Sequence, residues 1–364
     1  MTLHALDSYR LGITSAGHTT AKPDVVRFIT TEIFNMSLWN FILGADTYSV
    51  QSGGGGATHG HTSVWGPFYV KGDLDMTGSS SMQIGPLFVR DGDITLDGST
   101  DVGTVADPVM CYVSGVVQGH TSNFHGTINS NVPELTLPTF GAAELTQAYN
   151  LALVESGDDK IGTTDVANNE TRLGYDYKVF DADTAVGGAT TTVVIDDDTA
   201  SFPDGSVWDD DFAYDAVTGI LYVQGTVFID GDLRFERDLI YEGRGTIICT
   251  GDIYFGGTFN PADEDSYPVD NVIGFATPNN IDMADGGDAT SSFDMTGAWY
   301  AGGRIDIVQN ATIRGSILAN LMYFGGANIN LLTDPDLPAN LPPSLPGADD
   351  GSTVFMTRWH DAGS

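Results

Sequence analysis

The sequence predicts an all-β protein built as a parallel β-helix, a β-solenoid whose successive turns, here called rungs, each take about 20 residues. Two observations lead to this prediction. Similar stretches recur at that spacing in two parts of the chain, and within them β-branched and aromatic residues alternate with polar ones around a Gly-Asp or Gly-Gly corner. A repeat of this length is too short for a helical hairpin or a propeller blade, but it suits one solenoid rung.

The first predicted solenoid block spans residues 46–132 and contains three copies of the repeat. Residues 66–74 (Gly-Pro-Phe-Tyr-Val-Lys-Gly-Asp-Leu) are echoed by residues 85–94 (Gly-Pro-Leu-Phe-Val-Arg-Asp-Gly-Asp-Ile), with a step of 20 between the corner glycines. A weaker third copy follows at residues 111–117. We expect the apolar residues of each copy to point inward and to stack on their counterparts one rung away.

The second block, residues 220–333, repeats the pattern. Residues 227–235 and 246–255 carry Gly-Asp corners at a step of 20, and residues 299–307 and 322–331 share a Gly-Gly signature at a step of 23. Leucine-rich repeats have a similar length. They are disfavoured because their leucine framework does not recur, whereas Gly-Asp followed by an aliphatic residue does.

Two helices are predicted outside the solenoid. The apolar residues between positions 23 and 43 predict a helix in an N-terminal helical segment, residues 1–45, that caps the solenoid or meets another subunit. Residues 133–219 are expected to hold a linker helix over positions 142–154, followed by an insertion rich in Asp, Thr and Gly.

Proline-spaced stretches end both blocks, at residues 132–138 and 337–346, and the second opens a proline-rich C-terminal tail, residues 334–364. Proline lacks the N–H that extends a β-ladder. These stretches are therefore expected to leave the sheets and either run across the solenoid surface or cap an end.

The charge balance excludes several partners. Asp and Glu number 49 against 14 Lys and Arg, a formal charge of −35, which argues against nucleic acid and anionic membranes as partners. No uninterrupted apolar stretch reaches the length of a membrane-spanning helix. The two cysteines, Cys111 and Cys249, are too few for a disulfide scaffold.

Catalytic motifs are absent from the sequence, so we predict that the protein is not an enzyme. There is no Gly-x-Ser-x-Gly elbow, phosphate-binding loop, His-Glu-x-x-His or Cys-x-x-Cys pair. The densest basic group, Arg234, Arg237 and Arg244, alternates with carboxylates and is expected to pair with them on the surface.

Two groups of residues are candidate metal ligands. Clustered carboxylates offer the hard oxygen ligands that Ca²⁺ prefers, and Ca²⁺ is the one cofactor that we consider. The candidate calcium ligands are Asp209, Asp210, Asp211, Asp263, Glu264 and Asp265. A duplicated Gly-His-Thr-Ser tetrapeptide suggests a transition-metal site if the fold joins its two copies, and otherwise a repeated polar corner. The histidines concerned are His59, His61, His120 and His125.

The repeats at residues 66–74 and 85–94, with Ile-Leu-Tyr-Val-Gln-Gly-Thr-Val-Phe-Ile-Asp-Gly-Asp-Leu from position 220, resemble pilus-assembly-associated surface proteins of the PilX type. The Asp-Pro and Leu-Pro-Pro-x-Leu-Pro elements within residues 334–346 are also similar to that family. The resemblance implies Gly-Asp-rich β-helical repeats and an extracellular or cell-surface location.

We therefore expect a non-enzymatic structural protein that self-assembles into a filament, sheath or pilus, or decorates one. Its expected partners are further copies of itself and pilus or surface-assembly proteins, because open solenoid ends present unpaired strands. The first alternative is an adhesin or carbohydrate-binding solenoid, which would need exposed aromatic side chains to bind glycans. Its candidate aromatics are Trp65, Trp208, Trp299, Tyr300 and Tyr323. The second alternative is a polysaccharide lyase or hydrolase with paired carboxylates in a groove.

Overall fold

The fold is given by a computed structural model. Backbone and side chains are described for residues 13–16, 36–42, 44, 61–150, 220–229, 231–235, 238–283, 292–325 and 328–348, and the backbone alone for the remaining parts of the elements named below. The described chain is mostly β-structure, with one α-helix.

The elements follow in chain order. The N-terminal strands are β1 (Thr2–Ala5), β2 (Arg10–Thr19) and β3 (Lys22–Met36). The strands of the first block are β4 (Ile42–Gly44), β5 (Tyr48–Val50), β6 (His61–Trp65), β7 (Phe68–Lys71), β8 (Leu74–Met76), β9 (Ser81–Ile84), β10 (Leu87–Arg90), β11 (Ile94–Leu96), β12 (Asp101–Val102), β13 (Val109–Val113), β14 (Val117–Gly119) and β15 (Gly126–Asn129).

The middle of the chain contains α1 (Ala142–Val154), β16 (Thr164–Asp165), β17 (Glu170–Thr171), β18 (Val179–Asp181), β19 (Thr192–Ile195) and β20 (Phe212–Asp215). The second block comprises β21 (Ile220–Val223), β22 (Gly225–Asp230), β23 (Asp232–Phe235), β24 (Leu239–Glu242), β25 (Arg244–Cys249), β26 (Ile253–Phe255), β27 (Phe259–Pro261), β28 (Val272–Thr277), β29 (Ile281–Met283), β30 (Ser292–Ile307), β31 (Asn310–Phe324) and β32 (Asn328–Leu332). The last strand is β33 (Thr353–Asp361).

Each rung contributes up to three strands, which stack in parallel on those of the next rung and form three faces. The first face consists, in order, of β18, β22, β25, β28, β30, β31, β4, β7, β10, β13 and β15. The second face includes β23, β26, β29, and the ends of β30 and β31, then β5, β8, β11 and β14. The third face runs β21, β24, β27, the starts of β30 and β31, then β32, β6, β9 and β12. The predicted parallel β-helix is confirmed.

The two blocks form one continuous solenoid, joined out of sequence order. The last rung of the second block stacks on the first rung of the first block, because Ile317 pairs with Ile42 and Leu331 pairs with Val64. We call this junction the seam. One interior ladder on the first face crosses it without a break. Its buried members are Val227, Ile247, Phe275, Trp299, Ile317, Ile42, Phe68, Leu87 and Cys111, and Ile128, which is 51% exposed, ends it on the last rung.

A second apolar core lies outside the first face and explains how the chain returns from one end of the solenoid to the other. After β15, residues 130–141 run back along that face without regular secondary structure, and α1 continues the path. Tyr69 donates a hydrogen bond to the Pro133 carbonyl (3.3 Å), and Tyr149 of α1 packs edge-on against Phe228 on β22, in the second block.

The second proline-spaced stretch covers the same face. Trp39 Nε1 donates to the Pro346 carbonyl (3.1 Å), and the side chain of Leu345 packs against Gly274. Both stretches therefore run across the solenoid surface, which was one of the two expected arrangements. The linker helix is also confirmed, as α1.

The predicted N-terminal helix is wrong. Residues 22–36 form strand β3, which pairs antiparallel with β2 on one side and with β33 on the other. Strands β1, β2, β3 and β33 together form a four-stranded antiparallel sheet, the terminal sheet. The segment is rich in β-branched residues, which favour strands, and flanking strands satisfy its backbone hydrogen bonds. Its β-branched residues are Val25, Val26, Ile29, Thr30, Thr31 and Ile33.

The predicted step of 23 between the two Gly-Gly stretches is also wrong. Ile305 pairs with Met322 and Ala298 pairs with Ser316, so the step between these two rungs is 17 or 18. Gly302 and Gly303 lie between the first and second faces, whereas Gly325 follows the second face. Glycine suits any corner, so the shared signature marks two different corners.

Candidate functional site

The Gly-Asp corners join the first face to the second, and at several of them the close approach of neighbouring rungs requires glycine. A Cβ at Gly92 would lie 2.1 Å from the Gly72 carbonyl oxygen, and one at Gly251 would lie 2.1 Å from Asp232 Oδ1. Gly115, in the weaker third copy, is restricted in the same way, because a Cβ there would lie 2.0 Å from Asp93 Oδ1. Only glycine fits at these positions without displacing backbone or carboxylate.

The aspartates of these corners bind the backbone of the next rung. Asp73 Oδ1 accepts from Asp93 N (2.9 Å), and Asp93 Oδ1 accepts from Val116 N (2.8 Å). The second block repeats this ladder, with Asp232 Oδ1 accepting from Asp252 N at 2.8 Å. These carboxylates replace the inter-strand bonds that are lost where the chain bends away from the sheet.

An asparagine continues the ladder where the sequence motif stops. Asp252 Oδ1 accepts from Asn280 N (2.9 Å) and Asn280 Nδ2 (3.3 Å), and Asn280 Oδ1 accepts from Arg304 N (3.0 Å). The Gly-Asp motif does not predict this residue, because Asn280 is not part of a Gly-Asp pair. A broader pattern would have included it: any residue at this corner with a side-chain carbonyl oxygen, which asparagine also supplies.

Of the candidate calcium ligands, Asp263, Glu264 and Asp265 lie in the described part of the chain. Asp263 caps a short 3₁₀ turn, its Oδ1 accepting from Asp265 N at 3.1 Å. Asp209, Asp210 and Asp211 lie outside the described residues. Across the described residues, no group of three or more His, Cys, Asp or Glu side chains is arranged to hold a metal ion. Calcium binding stays a prediction, to be checked by the melting temperature with and without Ca²⁺.

The duplicated Gly-His-Thr-Ser segments lie on well-separated rungs. His61 opens β6, whereas His120 follows β14, three rungs away, which is roughly 14 Å at the usual strand spacing. Both histidines lie near the corner between the second and third faces, and His120 packs against Gly98. His125 lies close to His120 in the chain, and His59 lies outside the described residues. The structure does not bring His61 together with the two later histidines.

Arg244 departs from its predicted role as a partner of surface carboxylates. Its guanidinium donates to the carbonyls of Pro268 (2.9 Å) and Val269, and to those of Asn340 (3.1 Å) and Leu341 (3.3 Å). It therefore fastens the proline-spaced tail to the second block.

The other two arginines of that group differ from Arg244. Arg234 lies over the ring of Tyr254, with 4.2 Å from its Cζ to the ring centroid. Arg237 lies outside the described residues.

The candidate glycan-binding aromatics do not form one strip. Trp299 and Tyr300 are buried, the first in the solenoid interior and the second under the return segment. Trp65 is 41% exposed on the third face and Tyr323 is 40% exposed on the second face, so the two point in different directions. Trp208 lies outside the described residues.

Neither cysteine is a reactive thiol. Both are free and fully buried on the first face, and seven rungs separate them, about 34 Å at the usual strand spacing. Burial raises the pKa of Cys111 to about 12 and that of Cys249 well above its usual value. The thiols therefore stay protonated, inert and unable to pair.

In the described part of the chain, no helix combines the length and the apolar character that crossing a bilayer requires. No family model and no curated protein matches the sequence. Among solved structures, the fold is similar to the crystal structure of the competence-associated pilin ComZ from Thermus thermophilus, with a TM-score of 0.51 and 15% sequence identity. The likeness covers 98% of this chain and 82% of that chain. At this identity, it concerns the fold alone.

Proposed function

We propose that the protein is a non-enzymatic structural component of a pilus or related filament at the cell surface. The observation that carries this proposal is the likeness to a pilin, which extends over nearly the whole chain and so includes both the terminal sheet and the solenoid. One fold can serve many functions, so the proposal has to be tested by experiment. The resemblance of the repeats to PilX-type surface proteins supports the same class.

The topology suggests separate roles for the terminal sheet and the solenoid. The chain leaves the terminal sheet after β3, builds the entire solenoid, and returns to the sheet as β33, directly beside β3. The solenoid is thus an insertion between two neighbouring strands of a small sheet. We propose that the terminal sheet joins the assembly and that the solenoid is displayed from it.

The covering of the outer side of the first face supports the proposal of a structural role. The return segment and the tail bury its outer aromatic residues, and Arg314 holds the tail through Asp334, with Nε at 3.1 Å and a second guanidinium nitrogen at 2.8 Å from Oδ2. Two apolar cores on either side of one sheet give a rigid unit, and a displayed structural domain requires such rigidity.

The experiment localises the full chain in the cells that make it. We expect antibodies against the solenoid to label surface filaments in electron micrographs, and the protein to appear in the sheared-filament fraction. Absence of the expressed protein from that fraction and from the filaments would overturn the proposal.

A variant separates the role of the terminal sheet from that of the solenoid. Thr31 lies on β3 and pairs with Ile13 on one side and Trp359 on the other, so Thr31→Pro removes a ladder donor from the middle of the sheet. We expect this variant to keep the solenoid's thermal unfolding transition but to be lost from the filament fraction. Tyr323→Ala, on the solenoid surface, is the control and should be incorporated normally.

A further inference from the structure

A patch without charged side chains crosses the third face at the seam. Strands β32, β6 and β9 are consecutive there, and their sequences (Asn-Ile-Asn-Leu-Leu, His-Thr-Ser-Val-Trp and Ser-Met-Gln-Ile) contain no Asp, Glu, Lys or Arg. In a chain with 49 acidic residues, three adjacent strands of this kind make an uncharged island. We call it the neutral patch.

An apolar strip lies on the outside of the neutral patch. Trp65 pairs with Leu332 on one neighbouring strand and with Ile84 on the other. Trp65 is 41% exposed and Ile84 52% exposed, whereas the other described tryptophans, Trp39 and Trp299, are completely buried. A large exposed aromatic side chain flanked by apolar neighbours commonly marks a binding surface.

A β-bulge adds a polar group to this strip. Val64 pairs with Met82 but Trp65 pairs with Ile84, so β9 has one extra residue, Gln83, at this point. Gln83 is half-buried and Ile84 is exposed. Bulges of this kind re-aim side chains next to functional sites.

Small polar groups border the strip. Asn330 pairs with Ser63, whose Oγ lies 3.1 Å from Ser81 Oγ. Within the described part of the chain, no hydrogen bond involves the side-chain amides of Asn330 or Gln83. Each amide offers both a donor and an acceptor to a ligand.

We propose that the neutral patch binds an uncharged saccharide. A sugar ring has an apolar C–H face, which would stack on the Trp65 indole, and a rim of hydroxyls, which would bond to the amides of Asn330 and Gln83 and to the Ser63 hydroxyl. The net charge of −35 disfavours sugars that carry carboxylates. A strip one side chain wide suits a ring better than a protein partner, which typically covers about 800 Å². This binding does not depend on filament assembly.

The test applies the full chain to an array of neutral tri- to hexasaccharides built from glucose, mannose or galactose, with uronic- and sialic-acid oligosaccharides on the same slide. We expect binding to neutral saccharides. Calorimetry with a neutral saccharide found on the array should show at least about tenfold weaker binding for Trp65→Ala, the usual effect of truncating an aromatic anchor. Asn330→Ala should also weaken binding.

Tyr323→Ala is the matched control, because it removes an equally exposed aromatic side chain from the second face. Its affinity should equal that of the wild type, and all variants should melt at the wild-type temperature. The proposal is overturned by an array without neutral binding, by binding to acidic sugars alone, or by unchanged affinity in Trp65→Ala. Self-association that Trp65→Ala abolishes, without saccharide binding, would identify a second copy as the occupant instead.

Discussion

At the scale of single residues, the corner glycines meet two different requirements. Gly72 and Gly231 adopt a positive φ (107° and 140°), whereas Gly92 and Gly251 are fixed by the close approach of the neighbouring rung. Gly92 is the clearest case, because the obstacle to a side chain is the carbonyl of Gly72 on the neighbouring rung. A backbone carbonyl has no rotamer through which to move aside. At Gly92, the glycine of the sequence repeat is therefore a consequence of rung stacking.

Gly92→Ala should lower the free energy of unfolding by about 3 kcal/mol, because the rungs must separate locally to admit the methyl group. Gly98→Ala is the control, since its Cβ would lie an ordinary 3.5 Å from the His120 ring. Denaturant unfolding measures both. Equal stability of the two variants would contradict the close approach at residue 92.

Arg244 illustrates a different residue-scale effect, a single cation that serves two distant segments. Arg244→Ala should reduce the free energy of unfolding by about 2 kcal/mol, because several carbonyls lose a charged donor. Arg304→Ala removes an arginine that is half exposed and pairs with Asp306, and should cost less than about 1 kcal/mol. A loss for Arg244→Ala as small as that for Arg304→Ala would mean that the arginine does not fasten the tail.

At the scale of elements, the carboxylate ladder is the device that turns the chain between faces. Within this ladder, Asp252 accepts three hydrogen bonds, two from nitrogens of Asn280 and one from the Tyr254 hydroxyl. Burial, followed by the nearby carboxylates of Asp252 and Asp232, raises the pKa of Tyr254 to about 12. Because the neutral Asn280 also serves in the ladder, we expect the ladder to need an oxygen acceptor rather than a charge.

Two substitutions at Asp252 separate these requirements. Asp252→Ala should destabilise the protein by about 1–3 kcal/mol, because it leaves backbone and side-chain donors at the corner without an acceptor. Asp252→Asn keeps an oxygen and should remain within about 1 kcal/mol of the wild type. Thermal or denaturant unfolding decides. An equal loss in both variants would show that the charge itself is needed.

The elements also show where sequence reasoning succeeds. The strands around Gly72, Gly92, Gly231 and Gly251 were predictable because the rung spacing, the inward apolar residues and the corner chemistry all repeat. Strand β3 was not, because its apolar residues fit a helix as well as a strand, and one of its two partners, β33, lies at the opposite end of the sequence. Long-range pairing of this kind leaves no local signal.

At the scale of the whole molecule, stability should depend on keeping buried groups neutral. Burial raises the pKa of Tyr241 and Tyr267 well above 10.0 and that of Cys111 to about 12 from 9.0. In the unfolded chain these groups ionise at their ordinary values, so their contribution is complete below about pH 9 and is lost as the pH rises further.

Denaturant unfolding between pH 8 and pH 11 should therefore show a steady fall in stability above about pH 9, reaching about 1.4 kcal/mol per pH unit for each buried group. In a Cys111→Ala, Cys249→Ala double variant the fall should begin about one unit later, because only tyrosines remain. A flat profile across this range would contradict burial of these side chains.

The out-of-order stacking of the two blocks could not be read from the sequence. The repeats predict two solenoid blocks. The rungs at which these blocks meet resemble any other rung in sequence, and nothing in β4 or β31 marks the two strands as partners. The neutral patch, with Trp65 at its centre, exists only because the seam places β32 beside β6. Both the scaffold and its proposed ligand surface therefore depend on the seam.

Pulsed electron resonance between spin labels tests the seam directly, in a chain whose two buried cysteines are replaced by alanine. Labels at Arg234 and Tyr323, four rungs apart within the second block, provide a reference distance of about 19 Å between backbones. Labels at Asp294 and Asp101 lie in different blocks, on one ladder that crosses the seam. A continuous solenoid predicts a single narrow distance, with five rungs or about 24 Å between those backbones. A broad distribution, or one centred beyond about twice that spacing, would contradict it.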